Sequence, residues 1–160
     1  MSILKKTLIA SAALALPFSV SANSKLEKMM QDPNQWVQQS GNYAGERYTE
    51  LDQINKSNVG SLKVAWTFST GVLRGHEGGP LVIGDMMYVH TAIPNIVYAL
   101  DLNDNQRIVW KYNPVKGGKY PGGETMDRVI SVMCCDNVNR GVNYHPNGTL
   151  VLHAADTSVI

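Results

Sequence analysis

The sequence has no excess of charge of either sign, and this shortage excludes a class of partner. Its 14 Lys and Arg residues nearly balance 13 Asp and Glu residues, which gives a formal net charge of +1. Charges of both signs are interspersed, and no block of like charge occurs. The chain therefore has neither the basic face of a nucleic-acid-binding protein nor a charged tail, and we expect no nucleic-acid partner.

Long hydrophobic runs are also scarce, and the marked one lies at the N-terminus. Two lysines precede an apolar stretch over residues 7–18, which Pro17 interrupts, and small residues follow at positions 20–22. A membrane-spanning helix needs about 20 apolar residues, so a retained anchor is the weaker alternative. This pattern is typical of a secretory signal peptide. We predict a signal peptide over residues 1–22 and a mature chain over residues 23–160 in an oxidising compartment, a bacterial periplasm.

Helical periodicity is rare in the remainder of the chain. One short helix is predicted over residues 24–30, and it ends before Pro33 because a proline disfavours helical geometry in the preceding residue. Most of the later sequence has the apolar alternation and the turn residues of short strands. We predict strands over residues 62–68, 80–83, 86–90, 96–100 and 108–112, with a tight turn at residues 84–85 and an exposed glycine-rich loop over residues 116–130.

Two segments resemble each other and indicate an internal repeat. GDMMYVHTAIPNIVYALD and GTLVLHAADTSVI each contain a glycine, an apolar strand, a histidine, four or five small or turn residues and a second apolar strand. His90 and His153 are corresponding residues in this comparison. A repeat with several short strands per unit is typical of β-propeller blades, although two copies leave a chance resemblance between hairpins open.

The repeat predicts that the chain is part of a β-propeller. Aligning His153 with His90 places residues 159–160 on residues 96–97, so the sequence ends inside a strand. A propeller closes into a ring and covers each sheet between neighbouring blades, which about two incomplete blades cannot do. We therefore expect an all-β fold that is the N-terminal part of a longer propeller and is not stable alone.

Cysteine is rare: the chain has two, and they are adjacent in VMCCDNVNRG. A disulfide between adjacent residues closes almost no loop, so it would stabilise the folded chain little and its use would lie elsewhere. Metal sites usually separate their cysteines by two or more residues. From the residues alone, the pair is open to three interpretations: a disulfide, a free buried pair or half of a metal site.

Four stretches of the chain resemble a known family: NYAGERYTELDQINKSNVGSLKVAWTFSTG, RGHEGGPLVIGDMMYVHT, NIVYALDLN and VMCCDNVNRG. They are similar to the N-terminal part of the alcohol dehydrogenases that depend on pyrroloquinoline quinone (PQQ), most of all to the methanol dehydrogenase large subunit of the lanthanide-dependent branch. The resemblance extends over residues 32–160. It implies an eight-bladed β-propeller with the quinone near its axis, of which this chain is the first part.

The resemblance also implies roles for four residues. Cys134 and Cys135 match the pair that forms a disulfide in the family and packs flat on the quinone ring, a favourable contact for polarizable sulfur. Arg140 matches an arginine that contacts the cofactor, and a guanidinium suits the carboxylates of PQQ. Glu77, in GHEGGP, matches a glutamate at a polar edge of the quinone. Without the resemblance, this segment would be interpreted as an ordinary turn.

The implied reaction is the oxidation of methanol or another primary alcohol, with PQQ taking up two electrons. In the family, Ca²⁺ or a lanthanide ion acts as a Lewis acid on the quinone, an aspartate is the general base, and a periplasmic cytochrome c accepts the electrons. The matching metal ligands and base would lie after residue 160. We expect no catalytic or metal-binding residue within the chain, no activity of the chain alone, and a homodimer or a small-subunit complex for the complete protein.

Two other functions stay open. An ethanol-type or broad-range PQQ alcohol dehydrogenase would share the cysteine pair and Arg140, but a residue other than His76 would be expected before Glu77. A non-enzymatic periplasmic propeller that binds or assembles other proteins would have no need of the cysteine pair. The four histidines show no metal-ligand spacing with the cysteines, so we expect them to be structural.

Overall fold

The computed structural model describes residues 23–160, so the predicted signal peptide lies outside the described residues. Helix α1 spans Ser24–Met30, helix α2 spans Met126–Val132, and the strands are β1 (Leu81–Ile83), β2 (Met86–His90), β3 (Val97–Asp101), β4 (Arg107–Tyr112), β5 (Val142–His145) and β6 (Thr149–Leu152). Short 3₁₀ turns occupy Val59–Ser61 and Cys135–Asn137. No helix within residues 23–160 is long and apolar enough to cross a membrane.

Strands β1 to β4 form an antiparallel sheet in which each strand pairs with the next along the chain. The turn between β1 and β2 is tight because Gly84 has a φ of +56°, a left-handed conformation that glycine adopts without steric cost. Strand β3 is buried on both faces: Val97 joins a core that contains Leu81, whereas Tyr98 and Leu100 belong to a second core. This division follows from the two-residue period of a strand. A four-stranded antiparallel sheet is the size of one propeller blade.

Strands β5 and β6 begin a second unit of the same kind. His153, just after β6, forms an antiparallel bridge with Val159, whereas His90 at the end of β2 pairs with Val97. The structure therefore supports the repeat but corrects its register, since Val159 corresponds to Val97 and not to Ile96. The physical reason is the connection after the histidine, which is one residue shorter in the second unit.

The predicted strand over residues 62–68 is wrong, because this segment forms no strand. Its backbone has no sheet partner among residues 23–160, and the side chains of Val64 and Trp66 are 81% and 40% exposed. The segment is held at its end instead, where the Phe68 ring contacts Tyr98 edge to face at a centroid distance of 5.1 Å. Apolar alternation indicates that a segment can form a strand, but a strand also requires a partner to complete its hydrogen bonds.

Part of the stretch predicted as an exposed loop is helix α2. The Thr125 hydroxyl caps its first turn by accepting a hydrogen bond from the Arg128 backbone amide at 3.3 Å. Val129 is then buried in a small core with Tyr120 and Ile93. The helix is stabilised by the Thr125 cap at its start and by the burial of Val129 against Ile93, which is distant in sequence. It places the adjacent cysteines at its C-terminal end.

Candidate functional site

Glu77 and Arg140, which are 63 positions apart in the chain, meet in space. The Arg140 Nε atom donates a hydrogen bond to the Glu77 Oε2 atom at 3.3 Å. Glu77 lies in the irregular segment before β1, and Arg140 lies in the segment between the Cys135–Asn137 turn and β5. Both side chains are exposed, at 48% and 81%. An exposed ion pair contributes about 0–1 kcal/mol to stability, so this contact alone does not hold the two segments together.

Gly78 allows the Glu77 segment to approach its neighbours closely. A Cβ atom on Gly78 would lie 2.2 Å from the His90 Nε2 atom and 2.8 Å from the carbonyl carbon of Arg140. Real Cβ atoms do not approach other atoms so closely, and His90 is packed in the protein interior. The residue after Glu77 must therefore be glycine if the two segments are to keep their present separation.

His90 is buried beneath the site as a neutral imidazole. Its Nε2 atom donates a hydrogen bond to the Asn139 carbonyl oxygen at 3.0 Å. Burial lowers the pKa of His90, the hydrogen bond to Asn139 opposes that shift, and the nearby His76 lowers the pKa further. The Nδ1 atom is buried and has no hydrogen-bond partner among the described residues. The prediction of a satisfied structural histidine thus holds for one of the two ring nitrogens.

Asn139 fixes the backbone around Arg140. Its Oδ1 atom accepts a hydrogen bond from the Gly141 amide at 2.9 Å, and its Nδ2 atom donates to the His153 carbonyl oxygen at 3.0 Å. Together with the bond from His90, these contacts attach the segment to both repeat units. The Arg140 backbone is consequently held in place although its side chain is exposed.

Gln39 is a site residue that the sequence did not reveal. Its side-chain amide makes two hydrogen bonds to one residue: Nε2 donates to the Gly79 carbonyl oxygen at 3.0 Å, and Oε1 accepts from the Gly79 amide at 3.1 Å. On the other side, a Cβ atom on Gly141, which has a φ of +143°, would lie 2.3 Å from the Gln39 Cδ atom. Gln39 stands in an irregular segment without a motif, so no local pattern signals its role.

These residues surround a polar cleft of about 490 Å³, lined by Trp36, Gln39, Ser40, Arg47, Glu77, Gly79 and Arg140. The lining combines a carboxylate, two guanidinium groups and an amide. Guanidinium groups bind carboxylates through paired, planar hydrogen bonds. The cleft is thus chemically suited to a polar ligand that carries carboxylates.

The predicted disulfide between Cys134 and Cys135 is present, and both side chains are exposed. It lies between α2 and the following 3₁₀ turn, on the same segment as Arg140. Cys135 and Asn137 have φ values of +65° and +58°, left-handed conformations that cost of order 1 kcal/mol each for residues other than glycine. Their surroundings hold them in place, since the Asn137 carbonyl accepts a hydrogen bond from the Ile93 amide at 3.1 Å.

The structure brings two of the four predicted site residues into direct contact and places the other two nearby in the chain. Glu77 and Arg140 share one cleft, whereas Cys134 and Cys135 are not among the residues that line it. The roles of all four residues in binding a cofactor remain predictions. Within residues 23–160, no group of three or more His, Cys, Asp or Glu side chains is arranged to hold a metal ion.

Comparisons with known proteins identify a family. Residues 36–159 match the model of the glucose/ethanol/alcohol dehydrogenase β-propeller domain, a PQQ family. The chain is 53% identical to a lanthanide-dependent methanol dehydrogenase of Methylorubrum extorquens, over 93% of this chain and 23% of that protein. It is 45% identical to subunit 1 of a cytochrome c methanol dehydrogenase of Methylobacterium organophilum, over 87% of this chain and 21% of that protein.

A solved structure shares the same fold. The chain is similar to a europium-containing methanol dehydrogenase with a TM-score of 0.73 and 50% sequence identity, over 82% of this chain and 21% of that one. The chain thus spans between a fifth and a quarter of the length of these proteins. The fold comparison agrees with the predicted partial β-propeller.

Proposed function

Because the chain belongs to the PQQ glucose/ethanol/alcohol dehydrogenase β-propeller family, we propose that it is the N-terminal part of a dehydrogenase that oxidises methanol or other primary alcohols to aldehydes. The observation that carries this proposal is the contact between Glu77 and Arg140 in a polar cleft, with the Cys134–Cys135 disulfide on the same segment as the arginine. These are the residues that the family resemblance assigned to the cofactor.

The residues present fit PQQ, a flat quinone with three carboxylates. Arg140 uses its Nε atom for Glu77, while its terminal amino groups hydrogen-bond to no residue in the described part of the chain. That leaves the forked end of the guanidinium for a carboxylate. The disulfide is exposed and offers polarizable sulfur to the face of a ring.

In the proposed site, the role of Arg140, Glu77 and the disulfide is to orient the cofactor. Arg140 would bind a PQQ carboxylate, Glu77 would hold the guanidinium at a polar edge of the cofactor, and the disulfide would offer its sulfur atoms to the face of the ring. PQQ supplies the two-electron chemistry, and the protein supplies binding and orientation. A bound Ca²⁺ or lanthanide ion would act as a Lewis acid on the quinone, and no group within residues 23–160 is arranged to hold it.

The proposal extends to compartment and partners. The predicted signal peptide over residues 1–22 supports a periplasmic enzyme. One relative is named as subunit 1 of a cytochrome c methanol dehydrogenase, which supports a cytochrome c as electron acceptor and a complex with a second subunit. A homodimer is the alternative assembly. His76 favours methanol over an ethanol-type substrate. In the structure the His76 ring is held by two hydrogen bonds, one from Nδ1 to the Arg74 carbonyl oxygen at 2.7 Å and one between Nε2 and the Thr70 hydroxyl at 3.3 Å.

The test uses the complete protein that contains this chain. Metal-free protein is loaded with PQQ and with either Ca²⁺ or a lanthanide, and reduction of a phenazine dye is measured with methanol and with ethanol. Replacing Arg140 by Ala removes a charged hydrogen bond, which corresponds to about a 10- to 100-fold loss of PQQ affinity.

The matched control is Arg128→Ala, which removes an exposed arginine of α2 and is expected to leave PQQ affinity unchanged. A complete protein that retains no PQQ, or that reduces the dye with neither alcohol, would contradict the proposed function. A clear preference for ethanol would favour the ethanol-type alternative.

A further inference from the structure

The ion pair between Glu77 and Arg140 is too weak to keep the two residues close together, so other contacts must fix the distance between them. The two side chains are exposed, their contact is a single bond of 3.3 Å, and salt would screen it. Their segments also belong to no common sheet or helix. A cofactor with carboxylates at fixed positions nevertheless needs both groups held within a fraction of an ångström.

Gln39 holds the two segments from one attachment point. Its amide pairs with both backbone groups of Gly79, so it fixes the orientation as well as the position of the residue two places after Glu77. The same side chain fills the space where Gly141, the residue after Arg140, has no Cβ atom. Gln39 therefore contacts one neighbour of each member of the pair.

His90 makes an equivalent connection from the end of β2. Its ring packs against Gly78, the residue after Glu77. Its Nε2 atom donates to the carbonyl of Asn139, the residue before Arg140. Because His90 is buried at the end of an inner strand and pairs there with Val97, the sheet holds it in place against both segments.

From these contacts we infer that Gln39 and His90 are positioning residues that together set the distance between Glu77 and Arg140. Gln39 lines the cleft and His90 does not, and the role assigned here requires no contact of either residue with the cofactor. The inference deepens the proposed function and rests on it, since the ligand held by the pair is PQQ. We therefore expect PQQ affinity to depend on Gln39 and His90. Gln39 acts through its bonds to Gly79, and His90 acts through its bond to the Asn139 carbonyl.

The first experiment removes the two hydrogen bonds between the Gln39 side chain and Gly79 in the complete protein. Gln39→Met keeps the length of the side chain but abolishes both hydrogen bonds to Gly79, and PQQ affinity is expected to fall about tenfold. The matched control is Gln38→Met, because the Gln38 side chain makes no hydrogen bond to another described residue. Affinity is measured by titrating PQQ into metal-loaded, PQQ-free protein and following tryptophan fluorescence.

The second experiment separates positioning from a merely structural role. If Gln39 acts by placing Arg140, the effect of Gln39→Met on PQQ affinity should largely disappear in an Arg140→Ala background. For the second residue, His90→Gln keeps a donor that can reach the Asn139 carbonyl and should bind PQQ almost as the unmodified protein does. His90→Leu lacks that donor and should bind PQQ about tenfold more weakly.

Three results would overturn the inference: equal affinities for Gln39→Met and Gln38→Met, an undiminished effect of Gln39→Met without Arg140, or equal affinities for the two His90 variants. In each case the unmodified protein still binds PQQ, so the proposed function survives. If the unmodified complete protein binds no PQQ, the proposed function fails, and this inference fails with it.

Discussion

Gly78 illustrates, at the scale of a residue, how the absence of a side chain determines the geometry of the site. It lies between two groups that cannot move apart without cost, the His90 ring and the Arg140 backbone. Gly79, the next residue, has open space at its Cβ position, where the nearest atom is the Gln39 Oε1 at 4.0 Å. Two adjacent glycines of one motif are thus constrained very differently.

This contrast gives a prediction for the complete protein. Gly78→Ala should destabilise it by about 1–3 kcal/mol, because the added methyl group overlaps packed atoms. It should also weaken PQQ binding, since Glu77 would be displaced from Arg140. Gly79→Ala should change stability by about 0.5 kcal/mol or less. Urea unfolding and PQQ titration measure the two effects, and equal effects of the two substitutions would contradict the packing argument.

Because His90 is buried, we expect the stability of the folded protein to depend on pH. Burial lowers the pKa of His90 in the folded state, so the unfolded chain takes up this proton first as the pH falls. Its contribution to stability is therefore fully present above the ordinary histidine pKa of about 6.5 and decreases as the pH falls below that value. The nearby His76 also lowers the pKa of His90, in the same direction as burial.

The corresponding measurement is urea unfolding of the complete protein at about pH 7.5 and about pH 5.5. His90→Gln should reduce the loss of stability between these two conditions, because it removes the titrating group. His145→Gln is the control, since His145 is exposed at the end of β5. An unchanged pH dependence in His90→Gln would show that the buried imidazole does not contribute.

At the scale of elements, local patterns identified the strands whose partners are close in sequence. Strands β1 to β4 follow one another through short turns, so their alternation and turn residues were enough to predict them. The segment over residues 62–68 has equally good alternation but lacks a sheet partner among the described residues. Helix α2 was missed for the opposite reason, because its glycine-rich surroundings hide a cap at Thr125 and a buried contact at Val129.

Strand β1 also supplies a prediction about how the two units are joined. Leu81 is fully buried in a core that it shares with Val142 and Leu152 of the second unit. Leu81→Ala should therefore lower the free energy of unfolding of the complete protein by about 2–5 kcal/mol. Leu73→Ala, at a position that is 102% exposed, should have little effect. Similar shifts in the urea midpoint for both variants would contradict the assignment of this core.

At the scale of the whole molecule, the described chain leaves apolar surface uncovered. A cleft of about 300 Å³ between β4 and the second unit is lined by Val97, Trp110, Tyr112, Val142, Leu150, Leu152 and Ile160. Trp66 and Trp110 are also 40% and 39% exposed. In a propeller, the neighbouring blades cover such faces. The exposed apolar surface agrees with membership of a propeller family whose relatives are about four times as long.

The family, the all-β character and the strands of the first blade could be predicted from the sequence, and so could the disulfide through the family resemblance, because each depends on residues that are neighbours in the chain. The contact of Glu77 with Arg140, the bonds of Gln39 to Gly79 and the position of His90 between the two segments arise from the folding of distant segments onto one another. These contacts join residues about 40 to 63 positions apart. Local propensity carries no information about such pairs, since packing of the two units and close approach at glycines bring them together.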